Sequence, residues 1–337
     1  MAKVTLKRRQ FLKLAAASAA AGIGFTCLFP NSKKTQTVSD SRLLTGTLIN
    51  LTVLTGDPSS ARKALAIAYD KMSLLELELS RYRTDSELSR LNRHGYLAQA
   101  GDALLNLIRQ SEALSRISNG AFDMSMLPLL ELYRDHQDAH GSLPPVAEIH
   151  NTLQLVDYQA IQIDGRRINL RKKGMRLTPD GIGRGYILDK GIASLKEQGF
   201  ENVSAQAGAD LVASRGNIQG QPWKTGIQHP RHKNGKKFVT FTAGNQAVAT
   251  SGDYLHPFTT DFKHHQIIDP RTGFSAPELA GSTVIAPTAT LADGLSTMAL
   301  VHDAKRSIEV LERLPGCEGY MVTKRLEVLK TSGFPAA

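Results

Sequence analysis

Cysteine is scarce in this chain: 337 residues hold two, Cys27 and Cys317. With Cys27 inside an N-terminal leader, the rest of the chain keeps one thiol and no internal disulfide framework. Aromatic residues make up 6% of the chain and tryptophan occurs once, so no row of stacking platforms lies beside a basic groove. The net charge of +10 therefore does not read as a nucleic-acid footprint. Acidic residues are missing before residue 36, where Lys3, Lys7, Arg8, Arg9, Lys13, Lys33 and Lys34 stand; ten less those seven leaves +3 for the remainder. A hydrophobic content of 41% and a charged content of 21% are those of an ordinary globular protein.

What the first 36 residues do contain is a targeting pattern. Lys7-Arg8-Arg9-Gln10-Phe11-Leu12-Lys13 pairs twin arginines with Phe and Leu, and an Ala- and Gly-rich, weakly apolar stretch follows up to Phe29. This reads as a Tat signal with periplasmic export of the folded chain, although Lys7 takes the place of the usual Ser or Thr. The alternative is a basic amphipathic helix. No Ala-x-Ala step precedes the polar stretch from Asn31 to Thr37, and Gly24-Phe25-Thr26 lacks the residues that precede a lipidated Cys27. Retention of residues 1–36 as a membrane anchor is the alternative to cleavage.

No internal repeat is present. β-branched alternation predicts a strand over 43–55, and three- and four-residue apolar spacing predicts helices over 58–79 and 101–119. Ser80 to His94 and Gly120 to Pro128 read as loops, and the chain around Pro144-Pro145 as a polar connection. A hairpin is expected over 160–177 and a helix from Gly185 to Gln198. Short strands are expected at 202–206, 209–214, 223–228, 237–250, 265–268 and 282–286. A helix from Leu291 to Val301, another near 304–313 and a closing hairpin complete the chain. Strands and helices do not alternate as βαβ units, so the expected class is α+β.

Four loops carry residues suited to chemistry. Gly181-Ile182-Gly183-Arg184-Gly185 lies between a strand and a helix, where backbone N–H groups and the helix end can face a phosphate. A Rossmann site needs a third glycine where Tyr186 stands and an acidic residue ending the next strand, and both are missing. A plain structural turn remains open. Asp293 and Thr297, four apart on a helix, share one face and offer two hard oxygens suited to Mg²⁺. A helix cap at Asp293 with Thr297 bonded to the backbone is the equal alternative. Asp269-Pro270-Arg271-Thr272-Gly273 is a turn sequence, and His264 and His265 lack a third soft ligand for a transition metal. Tyr82, in a polar loop, either stacks on a planar ring or packs beneath its own loop.

In order along the chain these segments resemble the ApbE family over residues 45–335. The matching runs are S-R-Y-R-T-D-S-E-L-S-R-L-N (80–92), G-A-F-D-M-S-M-L-P-L (120–129) and G-I-G-R-G-Y (181–186). A-V-A-T-S-G-D-Y (247–254), I-I-D-P-R-T-G (267–273) and T-V-I-A-P-T-A-T-L-A-D-G-L-S-T (283–297) continue them. The resemblance implies one ApbE-like, T-fold-related α+β flavin transferase domain over 37–337. It implies FAD as bound substrate, Mg²⁺ as cofactor, and attachment of FMN through its phosphate to a Thr or Ser of a partner. That partner would be a redox protein, a membrane-bound flavoprotein included, with an Asp-x-x-(Ser/Thr)-(Gly/Ser)-Ala-(Ser/Thr) segment; the chain itself has none. Tat-exported relatives linked to nitrous-oxide reductase maturation are the similar subgroup.

Carried over by position, Tyr82, Ala121, Phe122, Asp123, Thr178, Arg184 and Ile267 would contact FAD. The Gly181 carbonyl, Asp293, Ser296 and Thr297 would hold the metal. Two departures stand out. Thr178 replaces the family's Asp, with Asp180 two residues on as a substitute and, with Arg184, the expected catalytic pair. Gln266 replaces the family's His before Ile-Ile-Asp-Pro, and an amide cannot take a proton at neutral pH. His265, next to it, is expected to face the opposite way. The alternative reading is an FAD-binding maturation or electron-transfer accessory protein with reduced or no transfer activity.

Overall fold

The computed structural model describes residues 36–44, 46–208, 210–213, 223–232 and 237–335, so residues 1–35 of the expected leader, Cys27 among them, lie outside the described residues. Strands β1 (Gln36–Leu44) and β2 (Thr47–Thr55) form a hairpin, followed by helices α1 (Pro58–Leu79) and α2 (Glu87–His94). The short β3 (Tyr96–Leu97) leads into α3 (Asp102–Ile117), α4 (Leu127–His140) and α5 (Val146–Leu153). A hairpin of β4 (Ile161–Asp164) and β5 (Arg167–Leu170) precedes α6 (Gly183–Glu197). Strands β6 (Val203–Ala207), β7 (Asp210–Ala213), β8 (Trp223–Gln228), β9 (Lys237–Ala243), β10 (Ala247–Gly252) and β11 (Leu279–Ala286) come next. Helices α7 (Ala289–Val301) and α8 (Ala304–Leu311) and strands β12 (Glu318–Thr323) and β13 (Val328–Lys330) close the chain.

Among the described residues, eight strands form one sheet in the order β1-β2-β6-β7-β10-β11-β12-β13, every pairing antiparallel. Helices gathered against an antiparallel sheet make the fold α+β. Two interior strands, β10 and β11, are buried along their whole length because both faces are covered. Ala247 and Ala249 of β10, with Val284 and Ala286 of β11, join the main core. The alternate residues Val248 and Ile285 pack with Ile227 and Phe241 of the β8–β9 hairpin and with Phe334. A period of two thus explains why these strands read as unbroken apolar runs.

Several expectations need correcting. The stretch 43–55 is two strands, because Gly46 takes φ +76° and turns the chain; Asn245 at φ +53° divides 237–250 in the same way. The polar run from Ser80 to His94 holds α2, started by the Ser86 hydroxyl accepting the Ser89 N–H and ended by Gly95 at φ +74°. Its Leu88 and Leu91 are buried, a short apolar face inside a charged sequence. The connection expected around Pro144-Pro145 is present, between α4 and α5. Residues 265–268 form isolated bridges, Pro257 to His265 and Ile268 to Ser275, and no continuous strand.

Candidate functional site

Helices α6 and α7 cross at their N-terminal halves, and each caps the other with an aspartate. Asp189 of α6 accepts the N–H groups of Ala289 (2.8 Å) and Thr290 (2.9 Å) at the start of α7. Asp293 of α7 accepts the Gly185 N–H (3.1 Å) in the first turn of α6. α6 has no capping side chain of its own at Ile182. Carboxylates at helix N-termini satisfy orphan donors and the helix dipole together. The approach is so close that a Cβ on Gly185 would lie 2.1 Å from the Ala289 carbonyl oxygen. Gly181 is hemmed in similarly, with Phe122 Cε2 at 3.0 Å and Thr297 Cγ2 at 3.3 Å from a Cβ there. The glycines of this loop therefore serve close packing as well as backbone access.

Around the crossing, oxygens converge. Thr297 Oγ1 lies 3.4 Å from the Gly181 carbonyl and 3.4 Å from Ser251 Oγ of β10. Arg184 Nη2 stands 3.4 Å from Asp293 Oδ1, and Asp293 is 0% exposed. Ser296 lies deeper, its hydroxyl donating to the Asp293 carbonyl (2.9 Å) and 2.9 Å from Ser251 Oγ. The longer spacings are loose for hydroxyl hydrogen bonds, which close to about 2.7–2.8 Å. One carboxylate, one carbonyl and hydroxyls form an all-oxygen donor set that fits Mg²⁺ and not a soft metal. Among the described residues no three His, Cys, Asp or Glu side chains converge, so an ion here would also draw on waters and ligand phosphate oxygens.

Asp180 sits at the mouth of the same loop, but not as an unpaired base. Arg81 holds it with two bonds, Nε to Oδ1 at 3.0 Å and Nη2 to Oδ2 at 2.8 Å. The same guanidinium lies 4.3 Å over the Tyr82 ring. Tyr82 is 64% exposed, so one ring face is backed by Arg81 while much of the side chain stays open to a planar ligand. Thr178 is buried and ties two loops together, its N–H donating to the Met124 carbonyl at 2.8 Å.

The remaining expected contacts form the walls. Ala121 and Phe122 are buried, with the Phe122 ring against Gly181. Asp123 spends its oxygens on its own surroundings, accepting from the Ser125 N–H and hydroxyl (both 2.7 Å) and from the Tyr158 N–H (2.8 Å). It shapes the loop. Ile267 packs on the main core, and its carbonyl accepts the Ala276 N–H at 3.1 Å. Arg81, Ser251 and His256 were not singled out from the sequence. Arg81 and Ser251 sit inside quoted motif runs, whereas nothing local marked His256, whose charge environment is set by Arg184 and Asp180.

A helix start facing a cluster of hard oxygens, beside a guanidinium and an open ring, defines a site for a planar ligand with phosphates. Comparison with known proteins names the family. The ApbE family model matches residues 45–321, and the chain belongs to that family. It is 29% identical over 297 residues to the FAD:protein FMN transferase of Salmonella typhimurium, covering 85% of this chain and 84% of that protein. It is 28% identical over 274 residues to the Vibrio cholerae FAD:protein FMN transferase, covering 79% and 82%. The flavin transferase ApbE structure from Vibrio cholerae superposes with a TM-score of 0.79 at 25% identity, covering 89% of this chain and 98% of that one. The apo flavinyl transferase ApbE of Pseudomonas stutzeri gives 0.79 at 26%, covering 90% and 98%.

Proposed function

We propose that this chain is an FAD:protein FMN transferase, working outside the cytoplasm on a Thr or Ser hydroxyl of a redox partner. The observation that carries the reading is the α6–α7 crossing, where Gly181, Asp293, Thr297 and Arg184 meet at a helix start. Mg²⁺ bound by the Gly181 carbonyl, Asp293 and the Thr297 hydroxyl would neutralise charge on the FAD pyrophosphate. Arg184 brings a permanent positive charge to the same place, as a fork able to grip two phosphate oxygens. The positive end of α6 adds backbone dipoles where negative charge builds. Tyr82, steadied by Arg81, offers its ring to the isoalloxazine. Arg81 keeps Asp180 paired, which makes that carboxylate an anchor for the loop.

The test mixes the purified chain with FAD, Mg²⁺ and a soluble acceptor domain carrying an Asp-x-x-Thr-Gly-Ala-Thr segment. Covalent flavin fluorescence on the acceptor is expected, abolished by EDTA and lowered at least about 100-fold by Asp293→Ala. The second reading, an FAD-binding accessory protein, is favoured by Gln266 and Thr178. Tight FAD binding without covalent flavin at any Mg²⁺ concentration would establish it and sink the first.

A further inference from the structure

Transfer of FMN to a hydroxyl needs a group that takes the hydroxyl proton, and the site described above leaves that place open. Gln266 carries an amide, which does not accept protons at neutral pH. Asp180 is engaged by Arg81. His265 is fully buried, with Nε2 3.0 Å from the Ala276 carbonyl. Cross-strand pairing leads to another imidazole. Pro257 and His265 form an antiparallel bridge, flanked by the Phe258 N–H donating to the His264 carbonyl (2.7 Å) and the Gln266 N–H donating to the His256 carbonyl (3.1 Å). In that register His256 lies directly opposite Gln266. Opposed residues of an antiparallel pair project from the same face, with Cβ atoms about 4.5–5.5 Å apart. His265 belongs to the other face, in agreement with its burial.

We propose that His256 is the general base of the transfer step, its imidazole standing across the pair from Gln266; this assignment rests on the transferase reading above. The side chain is exposed, as a group meeting an incoming partner must be. It lies in the field of the two charges that mark the site, Arg184 at the start of α6 and Asp180 in the loop before it. Partial desolvation by the surrounding protein is the largest influence on it and Arg184 the next, both lowering its proton affinity from the usual 6.5, while Asp180 opposes them. The shift favours the neutral imidazole, the form that accepts a proton. In the step, the Thr or Ser O–H gives its proton to His256 as the oxygen forms a bond to the FMN phosphorus. The bond from that phosphorus to the bridging oxygen breaks, and AMP leaves with the electron pair. The imidazolium returns the proton to solvent. FAD and a hydroxyl become phosphoester-linked FMN, AMP and one proton, with no redox change.

The experiment uses the purified chain, FAD, Mg²⁺ and the same acceptor domain, and follows kcat, the KM for FAD and their pH dependence. His256→Gln is expected to lower kcat by about 100-fold or more, the usual contribution of a general base, with the KM for FAD unchanged. The fall in rate on acidification below pH 6.5 in the parent chain is expected to vanish in the variant. The double variant His256→Gln, Gln266→His returns an imidazole to the same face from the opposite strand, and recovery to a tenth or more of the parent rate is expected. A single variant that transfers at the parent rate overturns the proposal, as does a loss confined to the KM for FAD. A parent chain that binds FAD and yields no covalent flavin overturns the transferase reading instead, and the role of His256 with it.

Discussion

Two walls of the candidate site are built by different means. The helical wall is helix against helix, α6 on α7, with each N-terminus capped by the other's aspartate and small residues at the crossing. The loop wall, residues 253–276, has isolated bridges and turns in place of regular strands. Its order comes from side chains. Asp253, 0% exposed, is gripped by Arg231 through two bonds of 2.7 and 2.8 Å. Arg231 in turn lies 4.6 Å from the Phe262 ring. Lys324 Nζ donates to the Phe262 carbonyl at 3.0 Å and stands 3.9 Å from Asp253. Where the backbone supplies few ladder bonds, a buried ion cluster replaces them. The difference teaches that this site joins a rigid binding half to a half held by a few ionic contacts.

The largest effect should come from breaking that cluster. Arg231→Ala leaves a buried carboxylate with Lys324 as its distant counter-ion, and removing one partner of a buried pair costs about 3–5 kcal/mol. Urea unfolding is expected to show a loss of that size, and FAD affinity is expected to fall with it. A stability change below about 1 kcal/mol would mean the loop is held by something else, and the contrast between the walls would collapse. The helical wall is probed by Gly185→Ala. Alanine in a helix interior gains about 1 kcal/mol over glycine, but here its Cβ meets a backbone carbonyl at 2.1 Å, which no side-chain rotation relieves. Overpacking of this kind costs about 1–3 kcal/mol, so the net change should be destabilising by about 1–2 kcal/mol. A stabilised variant would show that the two helices can part freely.

Legibility in the sequence follows the same division. The helices α1, α6 and α7 and most sheet strands declared themselves by period, and Asp293 and Thr297 by their spacing on one helix face. Spacing could not distinguish a metal ligand from a cap. The structure shows the cap, with the Gly185 N–H donating to Asp293, and places the Thr297 hydroxyl near the Gly181 carbonyl. Asp180 read only as a substitute for the family's Asp, and its pairing stayed hidden because Arg81 lies 99 residues away in sequence. His256 stayed unread because its link to Gln266 depends on a two-residue bridge, too short to leave an alternating pattern. Helix α2 was hidden by its charged surface, with two leucines carrying its whole buried face.

The last effect, seen only on acidification, tests how far the loop wall depends on pH. His265 is buried in it with Nε2 donating to the Ala276 carbonyl, while Nδ1 has no hydrogen-bond partner among the described residues. Burial is the main reason its pKa falls from 6.5 to about 4; Lys324 and His264 push the same way, and the Ala276 carbonyl and Asp253 oppose them. The folded chain thus binds this proton less readily than the unfolded chain does. The contribution is present in full above pH 6.5 and is lost as the pH falls from there towards 4, by about 2–3 kcal/mol at most. His265→Gln can keep an N–H donor to Ala276 and cannot titrate. Urea midpoints at pH 7.5 and 4.5 should therefore fall further for the parent chain than for the variant. Parallel falls would show that the acid sensitivity of this wall lies in its carboxylates, and that His265 is solvated well enough to charge in place.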